Sequence, residues 1–157
     1  MAGEFSLISD VLIKGKDKYG QKRAVQRKGP GGSYEGYSYD ALYCASCGLA
    51  HKMLEIGFRK GDKVGILAEN GATWAMAAFG TFFAGGAIVP LGVHNTPDEV
   101  SAILDDAEAG YLIVSQPFIE NAIGNRACPS SPWEPKSPPI HRMGTREARM
   151  FPLPIPL

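Results

Sequence analysis

Four groups of side chains in this 157-residue sequence have the types and spacing to do chemistry. Cys44-Ala45-Ser46-Cys47 is a C-x-x-C with His51 four residues later, the ligand types of a zinc site or a redox pair. Spacings of three and seven set all three near one helical face. Cys44 and His51 then stand about 10.5 Å apart along the axis, whereas zinc ligands lie about 2.0–2.3 Å from the ion, so the three do not converge on one metal. A redox C-x-x-C belongs at a helix N-terminus after a strand, and this pair lies a turn or more inside its helix. Buried small residues on a core helix are the reading that remains.

Lys28-Gly29-Pro30-Gly31-Gly32-Ser33 is Gly-rich but lacks Walker-A spacing and opens a hairpin, not a helix; it reads as a turn. Glu69, Asn70 and His94 follow two predicted parallel strands. Ligands bind beyond the carboxyl ends of such strands, which makes these three the residues to test for ligand contact, against the plainer reading of solvated loops. Asp105-Asp106 with Glu108 resemble a paired-carboxylate site but fall at a helix end near its solvent face. "ENGATW" after the first strand lacks the G-x-G-x-x-G of a nicotinamide-binding unit.

The elements that must position these groups follow from periodicity. Residues 6–19 read as a helix with Leu7, Ile8, Val11, Leu12 and Tyr19 near one face, Ser6 as its cap and Gly20 at its exit. Arg23 to Gln26 and Tyr34 to Tyr39 are two short strands around the Gly/Pro turn. Leu42, Ala45, Leu49, Met53 and Ile56 mark a second helix from Ser38 to Ile56, ended by Gly57. Gly61 and Asp62 turn the chain into a strand, Val64 to Ala68. Thr73 to Phe83 is an apolar helix with Trp74, Phe79, Phe82 and Phe83, after which Gly86 makes the turn into a strand, Ala87 to Leu91. Thr96-Pro97-Asp98-Glu99 is a strong helix start. Val100, Ile103, Leu104 and Ala107 form that helix's buried face, and Tyr111 to Val114 is the next strand. The result is a β-α-β-α-β unit with a parallel sheet of apolar strands, both faces covered. The fold class is α/β: an N-terminal helix and hairpin, then three parallel strands.

Composition narrows the rest. Residues 1–28 carry seven basic and three acidic side chains, 29–123 four and eleven, 124–157 five and two, summing to zero net charge. Bulk electrostatics therefore point to no nucleic-acid partner; the basic end reads as a solvated face, with membrane or partner binding as the alternative. Three cysteines make no disulfide framework and fit a reducing, cytoplasmic compartment. No basic region leads into an apolar core at Met1-Ala2-Gly3-Glu4, so no secretory signal is read. Gly71 to Pro97 carries no charged residue, but Gly85-Gly86, Pro90 and the missing Lys/Arg flanks argue against a membrane span. Eight of the twelve prolines lie in 124–157. That tail is read as Pro/Arg-rich and disordered, apart from a partial domain over 1–123.

"YSYDAL" (Tyr37 to Leu42), "GFRKGDKVGILAEN" (Gly57 to Asn70), "GTFFAGGAIVPL" (Gly80 to Leu91) and "NTPDEVSAILDDAEAGYLIVS" (Asn95 to Ser115) occur in the order seen at the opening of acyl-CoA synthetases. Residues 17–122 resemble that family of AMP-forming ligases. The double glycine is similar to the malonyl-CoA synthetase branch, and Glu69-Asn70 with Trp74 to long-chain fatty acyl enzymes. The resemblance implies that the intact relative joins a small carboxylic acid, fatty or short dicarboxylic, to CoA using ATP and Mg. The family's Ser/Thr/Gly-rich phosphate loop ending in Pro-Lys-Gly, its acidic magnesium motif, its ribose-binding aspartate and its catalytic lysine have no counterpart in these residues. No catalytic, cofactor-binding or metal residue is assigned, and the chain alone is expected to be inactive. The switch of pattern near Ile123 implies a truncated gene model, a frameshift or an alternative transcript, which transcript sequence across the junction would test. The other readings are a non-catalytic interaction module, self-associating through exposed apolar surface, and a thiol redox protein.

Overall fold

The computed structural model describes residues 7–119 and 122, together with 140–143 and 146–152. The chain gathers into two units, one from residues 1–60 and 70–86, the other from 61–69 and 87–157.

The first unit is organised on α2 (Tyr39–Glu55), against which α1 (Ser9–Tyr19), α3 (Ala72–Phe83), β1 (Arg23–Lys28) and β2 (Tyr34–Ser38) pack. Ser38 starts α2 as its sequence position implies, its Oγ accepting from the Ala41 N–H at 3.2 Å. The antiparallel hairpin sets Gln26 opposite Gly36. A Cβ at Gly36 would meet the Val25 carbonyl oxygen and lie 2.7 Å from Gln26 Cα, so only glycine lets the strands close there. Lys28 to Ser33 forms the turn, with Gly31 at φ 81° and Gly32 at φ 84°.

The apolar faces read from spacing in α1 and α2 change in this unit. In α2 the buried line is Leu42, Ser46, Ala50 and Met53, while Ala45, Leu49 and Ile56 are half-buried. The small polar residue in the core is therefore Ser46, whose Oγ donates to the Leu42 carbonyl at 2.8 Å; Cys44 is exposed and Cys47 half-buried. In α3 the buried residues are Ala77, Ala78, Gly80 and Thr81, and the four aromatic rings are half-buried. Small side chains let α2 and α3 approach: a Cβ on Gly80 would lie 2.8 Å from Leu49 Cδ2 and 3.1 Å from its Cβ. The rings line the flank edge to face, Tyr43 on Phe83 at 5.6 Å and Phe79 on Phe82 at 6.3 Å. In α1 only Leu12 is buried; Leu7, Ile8, Val11 and Tyr19 face solvent. The helix meets its neighbour along a narrow line, where Gly15 admits the Tyr39 ring, and the apolar stripe is wider than that line. Ile8 is the N-cap without a side-chain bond; Ser6 lies outside the described residues.

The second unit holds the parallel sheet. β3 (Lys63–Leu67) pairs in parallel with β4 (Ala87–Pro90) on one side and β5 (Tyr111–Val114) on the other. β3 and β5 are buried runs, as expected of central strands. β4 is the sheet's edge and only partly buried, contrary to the expectation that all three strands are covered. In the Pro/Arg-rich tail, β6 (Ile140–Met143) and β7 (Arg146–Pro152) extend the order to β4-β3-β5-β7-β6. Strand pairing uses main-chain groups, so composition gives no sign of it. α4 (Pro97–Asp106) lays Val100 and Leu104 into a core with Leu67, Leu91, Ala109, Leu112 and Val114. Gly65 makes the approach possible: its Cβ would stand 2.5 Å from Leu104 Cδ2.

Three helices end in the same way. In α2, the Phe58 N–H donates to the Met53 carbonyl and Gly57 to Leu54, both at 3.0 Å, with Gly57 at φ 92°. In α3, Gly86 donates to Thr81 at 2.9 Å and Gly85 to Phe82 at 3.0 Å, with Gly85 at φ 81°. The left-handed residue is thus Gly85, not Gly86. In α4, Ala109 donates to Leu104 at 2.8 Å and Glu108 to Asp105 at 3.1 Å, with Glu108 at φ 55°. These are Schellman endings, and the third places a side-chain-bearing residue where a Cβ costs about 1–2 kcal/mol. Glu108→Gly should therefore raise stability in urea denaturation by about 0.5–1 kcal/mol, while Gly57→Ala should lower it by about 1–2 kcal/mol.

α4 begins with the anticipated capping box. Glu99 Oε2 accepts from the Thr96 N–H at 2.8 Å, and Thr96 Oγ1 accepts from the Glu99 N–H at 3.3 Å. The Thr96 backbone donor, with Asn95 and the Thr96 hydroxyl adding to it, holds the Glu99 carboxyl below its ordinary value. A folded value below the unfolded one adds stability that is complete above the unfolded carboxylate range and lost as pH falls through the folded value. Glu99→Gln keeps an acceptor but does not titrate, so its stability difference from wild type should shrink steadily in denaturation curves taken from neutral to acid pH.

Candidate functional site at the carboxyl ends of the parallel strands

The strand order β4-β3-β5 reverses direction at β3. The first crossover carries the chain to one side, and the second returns it past β3 to the other. In open α/β sheets a ligand crevice forms at such a switch point, outside the carboxyl ends. Here those ends belong to β3, followed by Ala68 and Glu69, and β5, followed by Ser115.

The structure joins these two ends directly. Ser115 Oγ donates to Glu69 Oε2 at 2.8 Å, and the Ser115 N–H donates to the Leu67 carbonyl at 3.0 Å. Ser115 is buried and Glu69 exposed, so a serine inside the protein fixes a carboxylate at its surface. Sequence reasoning singled out Glu69 but not Ser115; the available signal was a hydroxyl directly after a buried parallel strand, in "LIVS".

His94 lies on the loop after β4 and is exposed. That loop is pinned by Asn95, whose Oδ1 accepts from the Gly92 N–H at 2.6 Å. The bond of Glu69 goes to Ser115, not to His94. Asn70, also exposed, opens the segment that belongs to the first unit. Chemically, Glu69 and Ser115 offer a fixed acceptor at the switch point. A carboxylate in that place repels a phosphate.

The other groups come out as follows. Cys44, Cys47 and His51 are strung along α2; His51 Nε2 lies 3.2 Å from Glu55 Oε1, and Lys52 Nζ lies 2.7 Å from Glu55 Oε2. Lys52 first, then His51, hold the Glu55 carboxyl below its ordinary value. A hydrogen bond with Cys47 raises the Tyr43 phenol. Cys128 lies outside the described residues. Asp105 is half-buried and Asp106 and Glu108 are exposed at the end of α4. Among the described residues no three His, Cys, Asp or Glu side chains are placed to hold a metal ion. No helix among them is long and apolar enough to cross a membrane.

The family model for AMP-binding enzymes matches residues 14–144. The long-chain-fatty-acid–CoA ligase ACSBG1 of Rattus norvegicus is 28% identical over 107 residues, covering 68% of this chain and 15% of the relative. The crotonobetaine/carnitine–CoA ligase of Escherichia fergusonii is 31% identical over 102 residues, covering 65% of this chain and 20% of the relative. Among solved structures, a long-chain-fatty-acid–CoA ligase from Archaeoglobus fulgidus superposes with a TM-score of 0.63 at 26% identity, over 72% of this chain and 23% of that one. The chain thus spans a fifth or less of the length of these two curated relatives. It belongs to the AMP-binding enzyme family and corresponds to an N-terminal part of an acyl-CoA synthetase.

Proposed function

We propose that this chain is the opening scaffold of a cytoplasmic ligase that joins a carboxylic acid to CoA through an acyl-adenylate, consuming ATP. A fatty acid or a short dicarboxylic acid is the substrate class, and the 157 residues do not carry out the reaction by themselves. The observation that carries this reading is the family match over 14–144, which includes the whole β3-to-β5 unit. The CoA ligases named among its relatives support the reaction class.

Inactivity of the isolated chain follows from charge. Adenylation requires backbone N–H groups, hydroxyls or cations around a triphosphate. The Gly-rich segment from Lys28 to Ser33 is spent on a hairpin turn, and the switch point of the sheet presents Glu69. A second reading, a non-catalytic binding module, is favoured by the exposed apolar residues of α1.

The test is ATP–pyrophosphate exchange by the purified 157-residue polypeptide, with mixed fatty and dicarboxylic acids and Mg²⁺ present. Exchange should stay at the blank rate. Label incorporation above it would show that these residues hold ATP after all.

A further inference from the structure

We propose that the outer face of α1, with the basic run that follows it, docks on an anionic lipid surface. The inference stands apart from the ligase reading and rests on where the first unit leaves its apolar and cationic side chains. Leu7, Ile8 and Val11 are 67%, 63% and 50% exposed. Leu7 and Val11 are one helical turn apart, and Lys14 and Lys18 continue the same face three and seven residues beyond Val11. Lys18 and Lys22 flank the half-exposed Tyr19, their ammonium nitrogens 5.3 and 5.6 Å from its ring centre. Arg23, Arg27 and Lys28 follow along β1.

The charge is segregated. Residues 7–28 hold seven cations and two acids, 7 − 2 = +5, whereas residues 39–119 hold four cations and nine acids, 4 − 9 = −5. Both acids of the basic segment are engaged locally. The Asp17 carboxylate sits 3.3 Å from Lys16 Nζ, and the Asp10 carboxylate accepts from the Leu7 N–H at 3.1 Å. An aliphatic row continued by lysines fits a bilayer interface: the row enters the acyl boundary while the long cationic side chains reach phosphates. A second copy of the chain fits poorly. Three aliphatic side chains fall short of the roughly 800 Å² per partner that a stable dimer buries, and like charges would face each other. A nucleic acid gives aliphatic side chains nothing to bury against.

Co-sedimentation of the full 157-residue chain with vesicles tests this. Binding should appear on phosphatidylcholine vesicles carrying about 30% phosphatidylserine, stay weak on pure phosphatidylcholine, and fall at least tenfold when salt is raised to about 0.5 M. Val11→Asp should weaken binding about tenfold or more. Lys14→Glu with Lys18→Glu should do the same, each lost cation counting about fivefold. Far-UV circular dichroism checks that both variants stay folded, and the salt series on the wild type gives an answer free of any folding defect. The proposal is overturned by equal retention on neutral and anionic vesicles, or by no retention on either. It is likewise overturned if Val11→Asp binds as wild type, or if sedimentation without lipid reveals a dimer that Val11→Asp dissolves.

Discussion

Each of β3, β4 and β5 follows a helix that one residue has stopped by taking positive φ. Gly57 stops α2 ahead of β3, Gly85 stops α3 two residues before β4, and Glu108 stops α4 three residues before β5. The stop satisfies carbonyls that would otherwise end the helix unpaired, through two main-chain bonds each time. It also fixes which residue is the first able to leave the helix. In the sheet that follows, Lys63 lies beside Ala87 and Val64 beside Tyr111. A glycine performs this twice without strain. At Glu108 the same geometry is held against the Cβ, which indicates that the surrounding core, with Leu104 and Ala109 both buried in it, over-determines the turn.

Local chemistry was the legible part of this fold. The capping box of Thr96 and Glu99, the Gly57 stop and the switch from helical period to short apolar runs are decided within a few residues, and each stands where the sequence puts it. Packing between elements was less legible. Periodicity assigns Leu7, Ile8 and Val11 to a buried face because it counts apolar residues, but it cannot count neighbours. α1 has a narrow line of contact, so most of its stripe stays in water. In α3 the large rings stay at the flank and small residues are buried. Helices that approach closely bury small residues at the contact, and Gly80 opposite Leu49 displaces Phe79, Phe82 and Phe83 to the flank. The cysteines differ from the expected buried position for the same reason: one position of rotation on α2 separates the buried Ser46 from the half-buried Cys47.

The site divides along the same boundary. Glu69 could be picked out because strand order alone locates the carboxyl ends, and Ser115 could not, because its role depends on the two ends being adjacent. Once β3 and β5 are neighbours, the residue after β5 is bound to lie beside the residues after β3, and a hydroxyl there finds the carboxylate. A hydrogen bond thus ties the two strand ends together at the place where an open α/β sheet usually receives a ligand.

Reaction at a phosphate needs positive potential or N–H groups that converge on a point. Residues 39–119 hold nine acidic and four basic side chains, whereas residues 7–28 hold two and seven. Those cations lie on α1 and β1, in the first unit, while the switch point lies in the second and carries Glu69. The β3–β5 unit is framework in this sense: its two central strands are buried runs, and their carboxyl ends are tied together by Ser115 and Glu69.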